Sequence, residues 1–191
     1  MDRRLADPHR LRIGMLCLVG IAVLYAVTLL LLAIGGDKPG PAPWLDIPRS
    51  SYFYWEAAFA TPVFIAAGVL AAASMQLLAR AWGGTGSFED TMALTGFAVA
   101  ICTLFSVIPD LIEAVLMISG ILPAKTFLDG VAHPTPILAL VWAYLIAYLL
   151  AFLVLFPAVV STVHRLPGAR AVAVGVAGFA VYQGFVYVFI R

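Results

Sequence analysis

Charged residues are scarce in this 191-residue chain, at 11% of the total, where soluble globular domains carry about 25%. That shortage excludes a water-soluble enzyme or binding module with an ordinary solvated surface. The 11 basic residues are scattered over short segments, with no basic stripe and no interleaved aromatics, so no nucleic acid partner is expected. Cysteine is scarcer still. Cys17 and Cys102 both fall inside apolar runs, where a thiol behaves as a small hydrophobe. They exclude a disulfide framework and a paired metal motif. Catalytic patterns are missing too: there is no Ser-His-Asp arrangement, no HExxH and no nucleophile elbow. Thr61, Ser74, Ser106 and Ser119 are isolated hydroxyls that need no catalytic role. Neither an enzyme nor a cofactor is implied.

What is present in excess is hydrocarbon. Hydrophobic residues make up 63% of the chain, and the mean hydropathy is +1.04. A membrane span needs about 20 apolar residues, and five runs qualify: 13–34, 57–79, 91–122, 137–160 and 171–190. The first is too long for the 7–15-residue core of a signal peptide. Its end, Ala33-Ile34-Gly35-Gly36, is also a poor cleavage site, so a retained helix is expected. The predicted fold is all-α, an integral membrane bundle of five transmembrane helices: a cytoplasmic tail over 1–12, then one membrane domain over 13–191.

Orientation follows the distribution of Lys and Arg at the span ends. One side collects Arg3, Arg4, Arg10, Arg12, Arg80, Arg165 and Arg170, the other Lys38, Arg49, Lys125 and Arg191. The bias places the amino terminus in the cytoplasm and the carboxyl terminus on the far side. Trp44, Tyr52, Tyr54 and Trp55 then fall near the outer interface, and Trp82 near the inner one, the levels at which amphipathic rings settle. The loop 35–50, with Pro39, Pro41, Pro43 and Pro48, is predicted extended. Residues 51–59 are predicted as a short interfacial helix leading into the second span.

One stretch stands out between the spans. Gly83-Gly84-Thr85-Gly86-Ser87-Phe88 is a glycine turn that runs directly into an apolar helix. It carries no lysine at Walker spacing and follows no strand, so a nucleotide cradle is excluded. Ser87 as N-cap with Asp90 at N3 reads as a capping box, and Glu89 and Asp90 suit the positive end of a helix. The turn's amides would also suit a lipid phosphate.

This turn completes a wider pattern. Trp55-Glu56 and Pro62 lead into the second span, Arg80 and Trp82 close it, and Gly83-Gly84-x-Gly86-x-Phe88, Leu94 and Gly96-Phe97 follow. The layout over residues 55–191 resembles the Yip domain family, multi-pass membrane proteins named for Ypt/Rab GTPase interaction. The resemblance implies five spans, a cytoplasmic amino terminus, and a role in membrane organisation or trafficking-type binding of partners or lipid. Twelve residues precede the first span, where trafficking members carry a sizeable cytosolic domain. A GTPase-binding role is therefore not carried over, and a compact prokaryotic member in the inner membrane is expected. The partners implied are the lipid bilayer and an unidentified protein.

Acidic residues inside spans are functional candidates by default. Asp110 and Glu113 are three apart and share a helix face. If the third span starts at Thr91, Asp110 lies about 28 Å along it, and 112–122 becomes a re-entrant or interfacial piece after a kink at Pro109. If it starts near Ile101, both acids lie near the midplane. Pro109, as a hinge, frees the carbonyl of Phe105. With Glu56 at the outer start of the second span, these acids form a candidate proton or cation site, and a small transporter or channel is the alternative function. Asp129 and His133 lie nearby in the sequence, but the spacings match no metal signature, and no metal centre is predicted. His9 and His164, among arginines, read as solvated. Gln76 and Gln183 read as hydrogen-bonding packing residues. The small residues of the fifth span, Gly175 and Gly178 among them, favour close helix approach or self-association.

Overall fold

The computed structural model describes residues 8–39 and 47–190. Arg3, Arg4, Trp44 and Arg191, on which part of the orientation and interface reading rests, lie outside them. Among the described residues there are six helices: α1 (Pro8–Gly35), α2 (Tyr52–Ala81), α3 (Phe88–Ile118), α4 (Ala124–Ala132), α5 (Pro136–His164) and α6 (Gly168–Phe189). All except α4 are long and apolar enough to cross a membrane. Backbone polar groups have no water to turn to in hydrocarbon, which is why the spans are helical throughout.

The five long helices alternate in direction and close into a ring in the order α1, α3, α5, α6, α2, with α2 also touching α3 across it. One end of the bundle carries the start of α1 and the glycine turn between α2 and α3. The other carries the α1–α2 loop and α4. The centre is aromatic. Phe152 of α5 stacks on Tyr182 of α6 at 5.0 Å and meets Phe156 edge-on at 5.1 Å. Phe64 of α2 reaches the same Tyr182 ring at 6.3 Å. Such pairs prefer stacked or edge-on geometry and hold neighbouring helices in register.

Small residues set the closest approaches. At the α1–α3 crossing a Cβ on Gly14 would lie 2.3 Å from the Ala93 carbonyl oxygen, and one on Gly96 would lie 2.3 Å from the Gly14 carbonyl oxygen. The two backbones touch there, as small-residue interfaces in membranes allow. Gly175 and Gly178 pack in the same way within the chain, against Pro157 of α5 and Met75 of α2.

Three local expectations are corrected. Residues 52–59 are the first turns of α2 and form no separate interfacial helix. Tyr52 sits at the expected end of the bundle but points inward, 1% exposed, whereas Tyr54 and Trp55 are exposed. α3 runs unbroken through Pro109 to Ile118, so 112–118 is not a re-entrant piece. The segment after it folds as a further, amphipathic helix, α4.

Candidate functional site

Helix α3 brings four polar side chains to one face. Thr103, Ser106, Asp110 and Glu113 fall at intervals of three and four residues, so they stack along one side of the helix, and all four line a cavity of about 480 Å³ inside the bundle. Asp110 is 22 residues from the start of α3, roughly 33 Å along it at 1.5 Å per residue. The acids therefore lie toward the α4 end of the bundle, and Thr103 lies deeper.

The rest of the wall comes from elements far apart in sequence. Asp37 and Lys38 enter from just beyond α1, Tyr144 and Tyr148 from α5, and Gln183 from α6. Phe127, Leu128 and Val131, on the apolar side of α4, complete the wall. The Tyr144 hydroxyl lies within hydrogen-bonding reach of Asp110, and the Tyr148 hydroxyl donates to Gln183 Oε1 at 3.0 Å. The apolar part of the wall includes Leu29, Phe64 and Val186.

Three acids thus face one mainly apolar space. Asp37 Oδ1 and Glu113 Oε1 are enclosed and form no hydrogen bond among the described residues. Burial pushes the Asp37 carboxyl up from its ordinary value to about 6, against a smaller opposing effect from the Lys38 amide that bonds it. Desolvation disfavours the charged form, and no opposite charge offsets it. Asp110 and Glu113 both feel the Asp37 charge, so the three form one electrostatic unit. At the deep end Thr103 is 1% exposed. Its hydroxyl lies near that of Tyr182 without closing a hydrogen bond to it.

Glu56 takes a different position from its predicted companions. It is fully buried in α2 and close to the Tyr25 phenol. Tyr25 lines the cavity and Glu56 does not. Asp129 and His133 are exposed on and beside α4. Among the described residues no group of three or more His, Cys, Asp or Glu is placed to hold a metal ion. Pro109 lies inside the continuous α3, one residue before Asp110.

At the opposite end, the glycine turn closes a second polar arrangement. Gly83 has φ +88°, a left-handed conformation that glycine adopts without penalty. A Cβ on Gly86 would lie 2.3 Å from Val163 Cγ1, and one on Gly84 2.9 Å from His164 Cβ, so the turn packs directly on the end of α5. The Gly83 and Gly84 amides donate to Arg80 and Ala79 carbonyls. Ser87 caps α3: its hydroxyl accepts from the Asp90 amide at 3.0 Å and donates to the Asp90 carboxylate at 2.8 Å. Phe88 is partly exposed beside it.

Thr91 is the hub. Its hydroxyl lies 2.9 Å from Gln76 Oε1, 2.8 Å from the Ser87 carbonyl and 3.0 Å from His164 Nε2. The hydroxyl has one proton to share among these acceptors, and which partner donates in the His164 contact depends on the imidazole tautomer. Gln76 Nε2 then donates to the Gly86 carbonyl at 3.1 Å, and Arg80 to the same oxygen at 3.3 Å. Gln76 therefore acts as the predicted packing residue. His164 does not stay in solvent: it is 2% exposed, because Gly84 leaves room for its ring.

The acid pair on α3 was legible from its spacing. Asp37 and Tyr144 were missed, since nothing local connects them to that pair. The signals available were a carboxylate two residues past the end of a span, and two tyrosines four apart in an otherwise apolar helix.

A sequence model of one protein family, described as the Yip1 domain, matches residues 2–190. The match extends beyond the motif region to take in α1. No curated protein and no solved structure matches the chain.

Proposed function

The chain belongs to the Yip1 domain family, and from that premise we propose that it works without catalysis, as a lipid-binding organiser of the membrane it spans. The observation that carries this reading is the cavity. Its volume of about 480 Å³ falls in the range of small-molecule sites, about 300–1,000 Å³, which are mostly apolar with a few placed polar groups. Residues of α4 form part of its wall. A hydrocarbon chain fits the apolar walls, and a polar head fits the acids and tyrosines.

The amino terminus is assigned to the cytoplasm of a prokaryotic inner membrane, and the cavity to the opposite leaflet. Supporting this, Arg10, Arg12, Arg80, Arg165 and Arg170 lie at the glycine-turn end, against Lys38, Arg49 and Lys125 at the other, as the positive-inside bias requires. The protein partner is taken to dock on the same domain.

A transport reading of Asp110 and Glu113 is not favoured. Beneath Thr103 the interior is closed by Val99, Cys102, Met75 and Phe156, all fully buried. A proton or cation entering at the acids would meet this apolar layer before the Thr91 network.

The test is photo-crosslinking in nanodiscs, using a phospholipid with a diazirine in its acyl chain. Adducts on Leu29, Tyr148 and Val186 are expected. Adducts confined to outward-facing residues such as Leu140, Leu150 and Val154 would refute a lipid held inside the bundle.

A further inference from the structure

Resting on that lipid-binding reading, we propose that the cavity selects an amphiphile with a primary ammonium head, its nitrogen seated beside Asp110 and Glu113, with Asp37 on the same cavity wall. Three observations converge on this chemistry. The first is charge. Three carboxylates, each half-buried, and one lysine line a space with mainly apolar walls, and acids drawn partly out of water without a counter-charge are costly. Lys38 is exposed at the mouth, so a cation placed deeper between Asp110 and Glu113 complements them better.

The second is hydrogen bonding. Asp37 Oδ1 and Glu113 Oε1 are enclosed acceptors without donors. A primary ammonium supplies three N–H donors, which a quaternary ammonium lacks. The bonds it forms to carboxylates are charge-assisted and among the strong ones. Tyr144, in reach of Asp110, lines the same space.

The third is shape and depth. A bare metal ion or proton does not use 480 Å³, and Leu29, Phe64 and Val186 form a wall suited to an alkyl chain. Thr103, aimed into the same cavity at 1% exposure with its hydroxyl unbonded, marks a place for a polar atom of the occupant beyond the head. An aminophospholipid and a free long-chain amine share this head group, and Lys38 at the mouth suits the phosphate of the former.

Native mass spectrometry of the full chain, released from micelles, tests the assignment with five probes: dodecylammonium, dodecanol, dodecyltrimethylammonium, phosphatidylethanolamine and phosphatidylcholine. Wild type is expected to hold dodecylammonium at least about tenfold more tightly than dodecanol, a difference of about 1.4 kcal/mol. It should also hold it more tightly than dodecyltrimethylammonium. In Asp110→Asn/Glu113→Gln the preference over dodecanol should vanish while dodecanol itself still binds. Tighter phosphatidylethanolamine than dodecylammonium identifies a bilayer lipid as the source, and the reverse a free amine; either upholds the head group. Equal binding of dodecylammonium and dodecanol by wild type overturns the ammonium site and leaves lipid binding standing. Equal binding of the primary and quaternary ions overturns the hydrogen-bonded seat. If no probe binds, the lipid-binding reading falls as well. The wild-type series decides even if the double variant does not fold.

Discussion

Individual side chains decide whether the turn between α2 and α3 closes. A methyl group at Gly86 would sit 2.6 Å from the Val163 carbonyl oxygen, and a backbone atom in the last turn of α5 has little freedom to move aside. Gly86→Ala is expected to cost about 1–3 kcal/mol, the range for overpacking, read as a lowered unfolding temperature in micelles. Gly20→Ala is the contrast: nothing lies within 4 Å of the added carbon, so stability should hold or rise by up to about 1 kcal/mol from helix propensity. Equal losses at both sites would mean that the turn does not rest on α5. Asp37 carries a different expectation. Folding raises its carboxyl from 3.8 to about 6 by burial, so the folded state binds the proton more readily than the unfolded one. Its contribution therefore favours folding on acidification and is lost as pH climbs from about 4 through 6. With Asp110 and Glu113 facing it and Lys38 adjoining, Asp37→Asn should raise the unfolding temperature near pH 8. It should also flatten the pH dependence over the window from about 4 to 6, as thermal scans across that range would record. A steeper dependence in the variant would contradict the burial of this group.

Between elements, two junctions hold the ring together. The Thr91 hydroxyl ties α3 to Gln76 of α2 and His164 of α5. Thr91→Val would leave a buried amide oxygen and an imidazole unpaired, a loss of about 1–3 kcal/mol, whereas Thr91→Ser should retain most of the stability. Hydrogen exchange should speed at the glycine-turn ends of α2, α3 and α5 in the valine variant alone. At the α1–α3 crossing, Gly96→Val should separate the helices and expose α1 to limited proteolysis, because its side chain would enter the Gly14 backbone. The elements were legible in unequal degree, for physical reasons. The long spans and the Ser87 cap are local: uninterrupted apolar runs and a hydroxyl three residues before Asp90 announce them. α4 was hidden because Phe127, Leu128 and Val131 make an apolar side only nine residues long, too short to separate from a loop by periodicity. His164 looked solvated because Arg165 follows it. Its burial depends on the missing Cβ of Gly84, 80 positions earlier.

For the whole molecule, the ring order of the helices turns sequence-distant residues into one site. The face shared by Asp110 and Glu113 is a property of α3 alone and was readable. The meeting of that face with Asp37, Tyr144 and helix α4 depends on how α1, α3 and α5 pack, which no local pattern encodes. Glu56 shows the opposite error, since its place at the start of a span suggested a companion to the acids while its side chain turned into the core. The family match covers residues 2–190, and the cavity is the observation on which the proposed function rests. The most direct measurement is lipid stoichiometry after stringent detergent washing, by extraction and mass spectrometry, for wild type and for Leu29→Trp, which fills the apolar wall. About one amphiphile per chain is expected in wild type, and its loss in a variant that still unfolds cooperatively. A wild type stripped clean, or equal retention in both proteins, would contradict a lipid held within the bundle.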